Sequence, residues 1–353
     1  MKGGIDLITG SSNPSTAAAR AKSRKSSLID RTRMRQLIQQ TPEQLAASVA
    51  DAGYRNEVDI YAAKHSGSDL IEMALTHNLE KELTSVMKFC SGRLKEQVRI
   101  YAERFSYQNA KIVLRAISTG ASLEEVTHAV LPEENEINKS WIEIISNSDT
   151  LADAASAMKG LPLSKALTEI AEDAELSVYE DALDLHYFES AINAAKGMDL
   201  SDRILRNHLQ MEIDHRNILN ILEARNLGLD DEVLRAALIP GGRLINNSQL
   251  NSASTVDSNG LLEILRRSSR FDAAGFESAL QESINLRTLD PVVLWLQERE
   301  QKDLQRMSYL HPLSALPVIN FISLKVKEVN DLRLIVRGVS AGLSVEVLEA
   351  HIL

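Results

Sequence analysis

The chain has 353 residues, 44% of them hydrophobic and only 4% aromatic, enough apolar material for one sizeable core or two to three smaller ones. Few aromatics beside plentiful Ala, Leu, Ile and Glu argue against an all-β protein, and Ala, Leu and Glu favour helices because they lose little side-chain freedom there. A net charge of −10 disfavours a nucleic-acid binder, which needs a basic surface to meet phosphates, and with Cys90 as the only cysteine neither an internal disulfide nor a Cys-based zinc site is available.

In chain order, Met1 to Ser15 contains Gly and Ser and is expected to fray; it lacks the apolar run of a secretory signal. A helix is expected from about Pro14 to Gln40, with Pro14 in its first turn. It carries Arg20, Lys22, Arg24, Lys25, Arg31, Arg33 and Arg35 against one acid, Asp30, so the rest of the chain is more acidic than the total implies. Thr41-Pro42-Glu43 opens a new helix, with Thr41 as N-cap, and Leu45 and Val49 begin its apolar stripe. Further helices are expected over residues 69–79, 80–90, 94–105 and 106–119, and similar stretches continue to the C-terminus without a convincing alternating strand. The longest apolar candidate, around Leu316 to Val326, is interrupted by Pro317, Asn320 and Ser323. No stretch is long enough to span a bilayer, so any membrane role is expected to be peripheral.

One layout occurs three times. Ser106 to Gly120, Asp214 to Gly228 and Glu328 to Gly342 each read as a helix closed by glycine, the residue suited to the left-handed position past a helix end. A second, short helix follows each, with Ser122, Asp230 and Ser344 as expected N-caps. Asn109, Asn217 and Asp331 fall at matching positions, as do the small residues Ala116, Ala224 and Gly338. Weaker matches, Leu45 to Tyr54, Trp141 to Leu151 and Leu261 to Phe271, precede them. The glycines lie roughly 110 residues apart, which makes the units small domains rather than short solenoid repeats. The expected division is 1–138, 139–248 and 249–353.

Four features invite a chemical reading. Pro240-Gly241-Gly242-Arg243 is Gly-rich, but no strand precedes it, and it reads as a turn rather than a phosphate cradle. His208, Glu212 and His215 share a helix face at metal-ligand spacing, yet such faces also serve solvation and ion pairing. Glu180 and Asp184 are placed to act as an acid and base pair, but Tyr179, Leu183 and Phe188 give their helix the look of a packing element. The basic stretch is the best interaction feature. Arg24, Leu28, Arg31 and Arg35 are expected on one helical face, and Arg20, Arg24, Arg31 and Arg35 are the candidate partner contacts, toward acidic proteins or anionic lipid headgroups. No catalytic residue, cofactor or metal is expected.

These residues together resemble the C subunit of archaeal and bacterial V/A-type ATP synthases, equivalent to the d subunit of eukaryotic V-ATPases. Ala19-Arg20-Ala21-Lys22 with Leu28 looks like the family's early Ala-Arg-rich helix. Tyr179-Glu180-Asp181-Ala182-Leu183-Asp184 with Tyr187-Phe188 looks like its central acidic and aromatic segment. Asp214-x-x-Asn217 with Arg225 and Gly228, then Leu238-Ile239-Pro240-Gly241-Gly242, look like its middle helix and following turn, and Glu328 to Arg333 like its final helix. The resemblance implies an all-α fold of three similar helical domains arranged with pseudo-threefold symmetry as a funnel. It also implies a non-catalytic central-stalk rotor subunit on the cytoplasmic side of the membrane. There it would sit on the proteolipid (c/K) ring and receive the shaft subunits D and F. Residues alone leave two alternatives open: a free-standing helical adaptor or regulator, and an enzyme with a site scattered over the helices.

Overall fold

The computed structural model describes residues 11–123, 126–127 and 136–352, with the backbone alone at 136–139. The described chain is all-α, with no strand among the described residues. In order, the helices are α1 (Pro14–Lys25), α2 (Arg31–Ile38), α3 (Pro42–Val49), a π turn (Ala50–Tyr54), α4 (Arg55–Tyr61), α5 (Gly67–Phe89), α6 (Gly92–Ala102), α7 (Arg104–Thr119), α8 (Glu136–Ser146), α9 (Leu151–Ala157) and a 3-10 turn (Pro162–Ala166). Then follow α10 (Leu176–Ala194), α11 (Leu200–Leu227), α12 (Asp231–Ala237), α13 (Asn247–Ala253), α14 (Ser258–Arg266), α15 (Ala273–Leu286), α16 (Asp290–Leu310), α17 (Leu316–Ser340) and α18 (Val345–Ile352).

Aspartates start several of these helices by accepting an otherwise orphaned backbone N–H of the first turn. Asp30 takes the N–H of Arg33 at 2.8 Å, Asp199 that of Asp202 at 2.7 Å, Asp257 that of Gly260 at 2.8 Å and Asp272 that of Gly275 at 3.0 Å. Two helix extents differ from expectation. The helix expected over Pro14 to Gln40 is two helices, because Asp30 caps a new start and Ser26–Asp30 turns the chain. Residues 69–79 and 80–90, expected as separate helices, form the continuous 23-residue α5, since neither Gly nor Pro occurs from Ser68 to Phe89.

By packing, the chain divides into two compact units. The first comprises the described parts of Met1–Arg99, Gln108–Ala157 and Pro317–Leu353. Its core joins both ends of the chain: Leu37, Leu45, Tyr54 and Leu75 pack in one buried cluster with Leu332, Ile335 and Leu348. The second comprises Ile100–Tyr107 and Met158–Leu316. There Ile221, Leu222 and Leu234 share a cluster with Leu261, Phe271, Phe276 and Leu296.

The layout seen three times in the sequence recurs bond for bond. Gly120, Gly228 and Gly342 adopt φ of 67°, 66° and 72°, where a Cβ is strained. Each donates its N–H to the carbonyl three residues back, at 3.3, 3.3 and 3.1 Å. The next residue donates to the carbonyl of Ala116, Ala224 or Gly338 at 2.9 Å in every case. This double bond pattern is the Schellman closure, which satisfies carbonyls that a helix end leaves free. Apolar residues buried in the helix match as well: Ala110, Val113 and Leu114, then Ile218, Ile221 and Leu222, then Leu332, Ile335 and Val336. Six residues after each glycine comes a buried Val126, Leu234 or Leu348, whose N–H closes the first turn onto Ser122, Asp230 or Ser344. A Cβ on Gly338 would collide with Leu348 Cδ2, so the small residue at that position lets the short helix lie close.

Candidate functional site

The basic stretch is built from two short helices and the turn between them. α1 buries only Ala17 and Ala21, and its N-terminus is tied down by Asn13, which donates to the Phe89 carbonyl at 2.8 Å and accepts from the Ser91 N–H at 2.9 Å. Arg20 and Arg24 lie over the Phe89 ring, 5.7 and 5.3 Å from its centre. Arg24 is also paired, with Glu82 at 2.5 Å and Ser85 at 2.7 Å. Arg35 lies 3.7 Å from Glu349, while Arg20 and Arg31 are exposed. The shared face expected for Arg24, Leu28, Arg31 and Arg35 is not formed, because the break at Ser26–Asp30 places Arg24 on α1 and the other two arginines on α2.

Beneath that turn lies a buried charge network that no local sequence pattern announces. Lys325 and Glu328 sit one turn apart on α17 and pair at 2.7 Å while both are buried. Tyr54 donates its hydroxyl to Glu328 at 2.6 Å and accepts from Lys325 at 2.8 Å. The other Glu328 oxygen accepts the Ile29 N–H at 2.5 Å. Burial, reinforced by the Glu328 charge, pushes the Tyr54 phenol well above its ordinary pKa, so it remains a donor. The network thus fixes the α1–α2 turn, and with it the basic stretch.

In the second unit, α11 secures the Gly-rich turn that follows α12. The Asp214 carboxylate accepts the backbone N–H groups of Arg243, Leu244 and Ile245 at 2.8, 2.9 and 3.1 Å. Asn217, fully buried, brackets Ile239, donating to its carbonyl and accepting its N–H, both at 2.8 Å. A Cβ on Gly242 would collide with the Asp214 carboxylate, which accounts for the glycine. The turn therefore cradles an anion, as Gly-rich loops do, but the anion is the protein's own side chain. Burial raises the Asp214 pKa above its ordinary value even though three N–H groups pull it down.

His208, Glu212 and His215 do not converge on a common point. Arg104 holds both Glu212 oxygens, at 2.9 and 2.8 Å, and donates to the Tyr187 hydroxyl at 2.9 Å, with its guanidinium 3.6 Å from the centre of the Tyr101 ring. Burial alone would raise the Glu212 pKa; Arg104 and the nearby His208, 3.4 Å away, outweigh it and hold the carboxyl well below the usual range. His215 instead faces Glu300 at 3.3 Å. Among the described residues no group of His, Cys, Asp and Glu is arranged to hold a metal ion. Asp184 is paired with Arg216 at 2.9 Å, away from an acid-and-base role with Glu180. Burial pushes the Cys90 thiol up to about 11, so it stays protonated.

These ionisable groups hold helices to one another, and the class they define is an all-helical protein whose buried charges serve its architecture. Comparison with known sequences narrows this. The family described as ATP synthase (C/AC39) subunit matches residues 17–351. The A-type ATP synthase C subunit of Haloferax volcanii is 30% identical over 352 residues, 98% of each chain. That of Haloquadratum walsbyi is 29% identical over 343 residues, 94% of this chain and 96% of its own. That of Methanosarcina mazei is 25% identical over 343 residues, 96% and 92%. The chain belongs to the ATP synthase (C/AC39) subunit family. No described helix is long and apolar enough to cross a membrane.

Proposed function

We propose that this chain is the C subunit of an A-type ATP synthase: a non-catalytic rotor component that sits on the proteolipid ring at the cytoplasmic side, receives shaft subunits D and F, and passes torque between them. The observation that carries the reading is the match, end to end, to relatives bearing that name. The proposal includes three domains, 1–138, 139–248 and 249–353, in the funnel implied by the resemblance. The three matching Schellman closures support the triplication.

A coupling protein needs stiff elements and exposed anchors for its neighbours. The second unit offers both. α11 runs for 28 residues, and two helix ends with their adjoining turns expose large apolar side chains, Met198 and Leu200 at the start of α11, Tyr309, Leu310 and Leu313 at the end of α16. Such side chains are the usual anchors of protein interfaces. These turns have no signature beyond isolated apolar residues in polar surroundings, and sequence reasoning passes over them.

The test is purification of the tagged chain from its native membranes. Co-elution with ring and shaft subunits is expected, and removal of the chain should leave ATP hydrolysis intact but uncoupled from ion pumping. Elution alone, beside an otherwise intact complex, would overturn the reading and favour a free-standing adaptor.

A further inference from the structure

The basic stretch differs from the apolar turns in kind. Between residues 11 and 59 no large hydrophobic side chain is exposed among the described residues. Cations there are abundant. Arg20, Lys22 and Arg31 are exposed, with no carboxylate paired to them among the described residues. Among the described residues the Arg33 guanidinium bonds to neutral partners, Gln36 at 3.0 Å and the Ser48 carbonyl at 3.3 Å, which leave its charge uncancelled. The turn that joins the helices is tight: Ser27 and Leu28 donate back to the carbonyls of Arg24 and Lys25 at 3.0 and 3.3 Å. It joins the last turn of α1, with Lys22, Arg24 and Lys25, to α2, which opens with Arg31 and Arg33.

We propose that the α1–α2 turn is a contact surface for an anionic lipid bilayer. A protein interface concentrates its energy in buried aromatic or aliphatic anchors, and among the described residues this surface exposes none. A bilayer rich in anionic headgroups needs no shaped pocket, only several accessible cations within a Debye length. The remainder of the molecule is acidic, since the total is −10 despite this cluster. An anionic membrane therefore repels the bulk of the chain and attracts this turn, which orients the molecule. Glu328 and Asp30 hold the turn's backbone in place, so the cations are presented on a fixed support. Contact through exposed cations alone is weak and salt-sensitive, suited to orientation and not to anchoring. The proposal takes only its setting from the assignment to a membrane-seated complex, and lipid binding can fail while co-purification with that complex succeeds.

The experiment is sedimentation of the purified full chain with vesicles of phosphatidylcholine alone or mixed with phosphatidylglycerol, at low and high salt. The expected result is binding that requires phosphatidylglycerol and disappears at high salt. Each cation near the surface is worth about a fivefold change in partitioning. The triple variant Arg20→Glu, Lys22→Glu, Arg31→Glu should therefore lose binding by more than about a hundredfold, with a thermal midpoint lowered by no more than the loss of the Arg20–Phe89 contact explains. Its neutral counterpart, Arg20→Gln, Lys22→Gln, Arg31→Gln, should fall in between. Reversal of Arg267 and Arg270, exposed in the second unit, should change little. Absence of vesicle binding, or equal loss in the Arg267 and Arg270 control, overturns the proposal. Retained vesicle binding in the triple variant, with loss of an acidic protein partner, overturns it in favour of a protein contact.

Discussion

Tyr54 donates its hydroxyl to Glu328 at 2.6 Å, joining residues 274 apart in sequence. Lys325 completes the arrangement, and all three side chains are buried. Removing one partner of a buried pair leaves the other charge uncompensated, which costs more than the pair contributes. Glu328→Ala should therefore destabilise the protein by about 3–5 kcal/mol and release the Ile29 backbone. Tyr54→Phe, which removes one hydrogen bond, should cost only about 1–2 kcal/mol. Urea denaturation of both variants checks the order, and equal midpoints would show that the network carries no charge penalty.

The Arg104–Glu212 pair sets a pH dependence. The folded Glu212 pKa lies below its ordinary value of 4.5, so the folded state binds a proton less readily than the unfolded chain. Its stabilisation is complete well above pH 4.5 and is lost progressively as pH falls toward the folded value. Arg104→Leu should cost about 3–5 kcal/mol at neutral pH and flatten this acid limb, because burial then favours the protonated carboxyl. Denaturation midpoints at neutral and acidic pH measure both effects. An unchanged acid limb in Arg104→Leu would mean that other carboxylates govern it.

Gly228 and Gly342 have open space where a Cβ would stand but positive φ. Alanine at either should cost about 1–2 kcal/mol from backbone strain alone, and asparagine less. Gly338→Ala has a different cause, collision with Leu348. Pairing it with Leu348→Val should relieve part of the loss. Additive losses in that double variant would exclude the contact as the cause.

Asp214→Ala should free the turn after α12, because three backbone N–H groups lose their acceptor at once. Faster amide exchange at Arg243, Leu244 and Ile245 is the expected readout, with a stability loss of about 1–3 kcal/mol. Exchange unchanged at these amides would mean that Asn217 holds the turn unaided.

Tyr309→Asp with Leu313→Asp should weaken recovery of the chain with its complex without lowering its own stability, since both side chains are exposed in the isolated chain. Quantitative co-purification checks it, and full recovery would remove this turn from the interface.

Much of the fold is legible in local sequence because local causes produce it. Glycine at a left-handed helix end, a capping residue two positions later and a small residue four before it are all short-range signals, and the three occurrences reinforce one another. Sequence reading divides α5 between Leu79 and Glu80, although neither Gly nor Pro occurs from Ser68 to Phe89. The break after α1 is harder. Asp30 is a local N-cap signal, but Glu328 holding the Ile29 N–H comes from the far end of the chain. The same distance hides the partners of the basic residues. Arg24 reads as a free cation beside Arg31, and only the fold shows that Glu82 neutralises it. His208, Glu212 and His215 have ligand spacing, yet Arg104, more than one hundred residues away, decides what Glu212 does.

The first unit's core takes side chains from both ends of the chain, Leu37 and Leu45 with Leu332 and Leu348. During synthesis the N-terminal helices therefore leave the ribosome long before the residues that cover them. The cluster of Met34, Leu37 and Leu75 stays incomplete until α17 and α18 emerge. A nascent chain halted before Val329 presents that apolar face to chaperones and proteases, and closing the unit waits on a loop of nearly the whole polypeptide. Emergence of α17 and α18 thus acts as a checkpoint on α2 to α5, so that chains halted before Val329 lack part of the packed core.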